Sequence, residues 1–201
     1  RLRELAPDAP TDSWRLVLDP SVVARLAGCG VSVIDSPTDV IGAVLAALGF
    51  DANRPTAQQL QEAERVLLAV RPQVRKVDAS SQINDLAGGS ICLLVTWSTN
   101  VQVARARALE AGVAADFRYV VPREGSVAWF DSLAIPADAP HPAAAHAFLE
   151  FMLRPDIAAR NANHIGSASM NAAAIRLLDP ALRDDPGIYP SPEQLEKLQS
   201  L

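Results

Sequence analysis

The stretch Cys29-Gly30-Val31-Ser32-Val33-Ile34-Asp35-Ser36-Pro37-Thr38-Asp39 holds a strand, a turn and a helix start in immediate succession. Residues 31–34 are a short, largely β-branched apolar run, the mark of a strand covered on both faces. Ser36 suits a helix N-cap, and Pro37 the first helical position, where a missing N–H costs nothing. Asp39 falls in the first turn, facing the positive end of the helix dipole. The helix that begins here is predicted to run to about Leu48, where Gly49 stops it. A buried strand followed directly by a covering helix is the repeating unit of an α/β fold.

The rest of the chain continues this alternation. A short helix over 21–27 follows Pro20. Thr56 caps a helix over 57–70, in which Leu60, Ala63, Val66, Leu67 and Val70 recur at helical spacing, and Pro72 ends it. Residues 81–87 read as a short helix closed by Gly88-Gly89, and 91–96 as a continuous apolar strand. A helix over 101–111 and a strand over 117–121 follow. After the turn Pro122-Arg123-Glu124-Gly125, residues 127–135 are the longest strand candidate. Helices are predicted over 143–153 and 155–163, with two more near 172–178 and 192–200. In open α/β sheets ligands sit at the carboxyl ends of strands. The positions after Thr96, after Ile34 and within 127–131 therefore carry the functional interest.

Composition narrows the function classes. A net charge of −5 without any basic run argues against nucleic acid, which needs clustered Lys and Arg. The longest apolar runs fall far short of the ~20 residues of a membrane helix. The chain opens on Arg1-Leu2-Arg3 without an initiator Met or a signal-peptide pattern, and is expected to lack its natural front.

Enzyme motifs are absent: no Gly-x-Ser-x-Gly elbow, no phosphate-cradling loop, no dinucleotide fingerprint. Nothing implies a cofactor. The three histidines, His141, His146 and His164, lack metal-ligand spacing, so no metal site is expected. Cys29 and Cys92 flank or enter predicted strands, and spacing leaves two readings open. They form a disulfide in an oxidising compartment, or they are two inert buried thiols. Trp97 at a strand end, and Trp129-Phe130-Asp131 after a glycine turn, would suit an organic ammonium. An indole face attracts the cation and covers its methylenes while the acid supplies charged hydrogen bonds. The plainer reading makes both indoles core residues and Asp131 a surface acid.

The order of motifs then becomes informative. Cys29-Gly30-Val31-Ser32-Val33-Ile34-Asp35-Ser36-Pro37 is followed by Ile83-Asn84-Asp85-Leu86-Ala87-Gly88-Gly89, Ile91-Cys92 and Trp97. Next come Pro122-Arg123-Glu124-Gly125, Ala128-Trp129-Phe130-Asp131, Phe148-Leu149-Glu150-Phe151 and Pro186-Gly187-Ile188-Tyr189-Pro190. Over nearly its whole length the chain resembles the periplasmic polyamine-binding proteins of ABC importers, especially the putrescine-binding branch. The resemblance implies a periplasmic-binding-protein-like α/β fold of type II, whose two lobes close on a putrescine- or spermidine-like cation and then dock on a membrane permease. It implies that Trp97 and Trp129 sandwich the ligand's methylenes, that Asp131 binds an ammonium, and that Asp39 is a further ligand group. It also implies the Cys29–Cys92 disulfide and a periplasmic location.

Three departures bear on the ligand. Asn100 stands where an acid is expected, Asp39 is a methylene shorter than the usual Glu, and Ser167 replaces a Tyr. They leave open a receptor for another amine or an amino-acid-like solute, and more remotely a truncated α/β enzyme. The resemblance further implies that 1–124 and 167–201 belong to the second lobe, and that 125–166 returns to a first lobe most of which is missing. Apolar surface so uncovered would favour a homodimer or domain exchange.

Overall fold

A computed structural model describes residues 1–113 and 116–201 of the chain. Three short helices open it: α1 (Leu2–Leu5), α2 (Arg15–Leu18) and α3 (Pro20–Leu26). Then β1 (Val31–Val33) leads into α4 (Pro37–Ala47) and α5 (Ala57–Val70). Next come β2 (Lys76–Val77), α6 (Gln82–Ala87), β3 (Leu93–Val95) and α7 (Ser98–Glu110). After β4 (Ser126–Ala128) stand α8 (Pro142–Leu153), α9 (Pro155–Ile165), α10 (Ala172–Ile175), α11 (Pro180–Arg183), α12 (Pro192–Leu195) and β5 (Leu198–Ser200).

The fold is α/β with parallel sheets. The larger sheet runs β2-β1-β3, with Ser32 opposite both Lys76 and Leu94. Its central strand is fully buried at Val31, and Val22, Val23, Leu26, Val70 and Val74 pack over it. Strand β1 ends beside α4, and the neighbouring β3 ends beside α7. That arrangement brings two helix starts together at one edge of the sheet, where ligands bind in open parallel sheets. Gly30, at φ 96°, lets the chain enter β1 close under its neighbours: a Cβ there would lie 2.5 Å from the Ser90 carbonyl and 2.7 Å from Arg75 Nη1. Beside it Cys29 and Cys92 form a disulfide, with Cα atoms 5.6 Å apart.

Helix α5 begins at a capping box. Thr56 Oγ1 accepts from the Gln59 N–H at 3.3 Å, and Gln59 Oε1 accepts from the Thr56 N–H at 2.8 Å. Asp78 anchors the start of α6 by accepting from the N–H groups of Ser80 and Ser81 at 3.0 Å each. The Ser81 hydroxyl, then the Ser80 and backbone donors, hold the Asp78 carboxyl well below the usual carboxylate range.

The helix expected over 172–178 is confined to Ala172–Ile175 and the strand over 91–96 to Leu93–Val95, and three further elements differ more. Residues 117–121 form no strand, and the carbonyls at their two ends accept from side chains instead of from a neighbouring ladder. Phe117 O accepts from Arg105 Nε at 2.9 Å, and Val121 O from Gln194 Nε2 at 3.1 Å. The strand expected over 127–135 shortens to Ser126–Ala128, the only part that finds a partner, β5. Strand β5 itself replaces the last turns of the helix expected over 192–200. Gln199 fixes it by bonding the Phe50 carbonyl at 2.8 Å and the Ala52 N–H at 2.7 Å through its two amide atoms.

The later helices rest on the earlier ones. Helix α9 touches α7 and α10, and Arg105 of α7 holds Asp185 at 2.8 Å. Burial pushes the Asp185 carboxyl up, but bonds from Arg105, the Gly187 N–H and Gln102 outweigh it, and the net shift is downward. Helix α8 buries none of its residues fully, and Phe148, Phe151 and Leu153 are exposed. Among the described residues no helix is long and apolar enough to cross a membrane.

Candidate ligand-binding groove

The first turn of α4 supplies Asp39. Ser36 caps this helix by backbone conformation alone; its hydroxyl donates instead to Asp39 Oδ2 at 2.6 Å. The same oxygen accepts from Trp97 Nε1 at 3.0 Å. Trp97 stands at the N-cap of α7, so this bond ties together the two helix starts that leave β1 and β3. Both donors reach Oδ2, and Oδ1 has no donor among the described residues.

Trp97 is 38 % exposed, which makes it a wall of the groove and not a core residue. Trp129 comes from the chain just beyond β4, equally exposed, and its ring meets that of Trp97 edge to face at 6.2 Å and 80°. Edge-to-face contact is a favoured aromatic geometry. It also means that the two rings touch each other here instead of standing parallel with room for a methylene chain between them. A ligand between their faces requires one indole to swing aside.

Asn100 lies in the first turn of α7, and its Nδ2 donates to Thr96 Oγ1 at 2.8 Å. Asp131 is exposed, and Ser167 is half-buried just after α9. All six expected residues line one open groove of 2310 Å³. Compact small-molecule pockets run roughly 300–1,000 Å³, so shared lining alone does not bring residues into contact. Direct contacts join Asp39, Trp97 and Trp129; the Asn100 side chain bonds Thr96 instead, and its backbone N–H donates to the Trp97 carbonyl at 3.1 Å. Asp131 and Ser167 share the groove without a side-chain hydrogen bond among the described residues.

Two participants lie outside the set read from sequence, Thr96 and Gln82. The Thr96 hydroxyl donates to Gln82 Oε1 at 2.8 Å, and Gln82 Nε2 donates to the Val95 carbonyl at 3.3 Å. Gln82 is completely buried, although as the first residue of a short helix it gave no sequence signal. The histidines take no part in the Asp39–Trp97 corner. His141 precedes α8, His146 lies on it and His164 is in the last turn of α9, and all three are exposed.

Residues 25–190 match the profile of the bacterial extracellular solute-binding proteins. The chain belongs to this family. It is 40 % identical over 198 residues to the putrescine-binding periplasmic protein of Escherichia coli, covering 98 % of this chain and 54 % of that protein. It is 37 % identical over 194 residues to the putrescine/agmatine-binding protein of Pseudomonas aeruginosa, with 96 % and 53 % coverage. The substrate-binding protein of the spermidine/putrescine ABC transporter of Streptococcus pneumoniae superposes with a TM-score of 0.82 at 26 % identity. That match covers 98 % of this solute-binding chain and 58 % of the pneumococcal one. The chain thus spans about half the length of the curated relatives it matches.

Proposed function

We propose that this chain is the ligand-capturing part of a polyamine ABC importer. It takes up a small organic cation such as putrescine or spermidine in the periplasm and presents it to a membrane permease. One observation carries the reading: a carboxylate held by a serine hydroxyl and an indole N–H, with a second indole beside it. Asp39 Oδ1 is left to receive an ammonium, and the ring faces suit the adjoining methylenes. The names of the relatives support the same ligand class. Binding, not catalysis, is the proposed activity; turnover of a substrate would be needed to revive the enzyme alternative.

Under this proposal residues 1–124 and 167–201 form the second lobe. Residues 125–166 make the return towards the first, with α9 resting back on α7 and α10. Asp131, on the returning segment, then supplies a carboxylate for the ligand's other ammonium. A homodimer forms no part of the proposed function.

Isothermal titration of putrescine and spermidine into the chain tests the reading. Saturable binding is expected, with Asp131→Asn weakening it about tenfold, less than the loss of a buried charge pair because Asp131 is exposed. Unaltered affinity in that variant removes Asp131 from the site. A second reading, a receptor for a different amine or an amino-acid-like solute, has one observation behind it. Asn100 places a neutral amide where the resemblance implies a charge.

A further inference from the structure

The orientation of that amide has a single solution. The Val95 carbonyl can only accept, so the Gln82 group facing it is Nε2 and the group facing Thr96 is Oε1. The single Thr96 hydroxyl proton is thereby committed to Gln82. Thr96 Oγ1 can then only accept, and Asn100 must turn its Nδ2 toward it. The opposite flip would set two oxygens together with no proton between them. Asn100 Oδ1 is left without a donor among the described residues, on a side chain that lines the groove beside Trp97.

We infer that Asn100 is a specificity-determining residue that offers Oδ1 to an N–H of the ligand, and that Thr96 and Gln82 are positioning residues that hold it so. The inference rests on the amine reading proposed above. A neutral acceptor receives a charged or an uncharged N–H, whereas a carboxylate at this position would favour the charged one strongly. The groove therefore takes amines with an ammonium at the carboxylate end and any N–H donor at the Asn100 end. Diamines and their mono-acylated derivatives both qualify.

Two probes separate the possibilities: putrescine, with an ammonium at each end, and N-acetylputrescine, with an ammonium and a neutral amide. In the unaltered chain their dissociation constants are expected to lie within about tenfold of each other. In Asn100→Asp the Thr96 hydroxyl must turn its proton from Gln82 to the new carboxylate. Putrescine should then tighten about tenfold and N-acetylputrescine stay where it was, because only putrescine brings a second charge to meet the new one. Thr96→Val frees the amide to turn its N–H toward the groove. It should weaken putrescine about tenfold while sparing the acetylated ligand, whose carbonyl accepts from the turned amide. Thr96→Ser restores the hydroxyl and should restore the preference.

A merely structural Thr96 would weaken both ligands alike, and that result overturns the inference. So does an Asn100→Asp variant with no gain for putrescine, a test that does not depend on Thr96→Val folding. Failure of the amine reading shows separately, as no binding of either probe to the unaltered chain. Exchange of the Asn100 side-chain amide protons then reads the relay without a ligand. Slow exchange that becomes fast in Thr96→Val upholds the positioning role, and equal exchange in both overturns it.

Discussion

Reducing the Cys29–Cys92 bridge is expected to cost the chain about 4 kcal/mol of stability and to leave the groove intact. The bridge closes a loop of 63 residues, and in the chain-entropy model a loop of that size restricts the unfolded state by about 4 kcal/mol. The folded state should tolerate the loss, because other bonds hold the same corner. Arg75 donates to the carbonyls of Ala27, Gly28 and Ser90, and the Cys92 N–H donates to the Gly30 carbonyl at 3.0 Å. The bridge also joins the beginnings of β1 and β3, whereas Asp39 and Trp97 lie beyond their ends. Thermal unfolding with and without a phosphine reductant should show a fall in Tm of roughly 8–16 °C for a chain of this size. A shift below about 2 °C would mean that the reduced chain is equally constrained, against the entropy account.

Asp39→Asn is the second large effect, a loss of about 30-fold or more in putrescine affinity with little change in stability. The amide is isosteric and retains an oxygen for the Ser36 hydroxyl and the Trp97 N–H, so the corner keeps its shape. What disappears is the charge that faces the ammonium. Removing one partner of a hydrogen-bonded charge pair costs about 2–5 kcal/mol when the pair is buried; Asp39 is half-buried, and the lower figure corresponds to about 30-fold. The residual binding should also lose part of its salt dependence, because one ion pair no longer contributes. Circular dichroism checks the fold and isothermal titration the affinity. A change below threefold would show that Asp39 is occupied by Ser36 and Trp97 and takes no part in binding.

Legibility followed burial. The strand at 31–34 announced itself because it is central and largely buried, and the edge strand within 91–96 by its apolar run alone, since its residues are only half-buried. Helix 57–70 was legible to its ends because Thr56 and Pro72 encode its limits chemically. Residues 127–135 and 192–200 misled for the opposite reason. A strand exists only where a partner ladder does, and β4 finds its partner about 70 residues away, in a tail whose local pattern favoured helix. Residues 117–121 have strand composition, yet Arg105 and Gln194 claim the carbonyls at their two ends.

The groove divides in the same way. Asp39, Trp97 and Trp129 were legible from strand-end position and motif order, and the structure sets them in contact. Gln82 and Thr96 were not. Their role depends on a polarity chain between residues 14 apart, closed only once α6 packs against the end of β3. Ser36 was legible as a cap, but not as the donor that holds the Asp39 carboxylate.

The most direct measurement is a putrescine titration followed by the indole N–H resonances of the three tryptophans, Trp14, Trp97 and Trp129. Trp97 donates to Asp39, and Trp129 lies against it. Trp14 borders the same broad groove, but its N–H is taken by the Gly125 carbonyl at 2.7 Å. Saturable shifts of the Trp97 and Trp129 signals, with Trp14 still and no response to uncharged 1,4-butanediol, are the predicted result. No saturable shift at Trp97, or equal shifts at all three with either compound, would contradict an amine site at this corner.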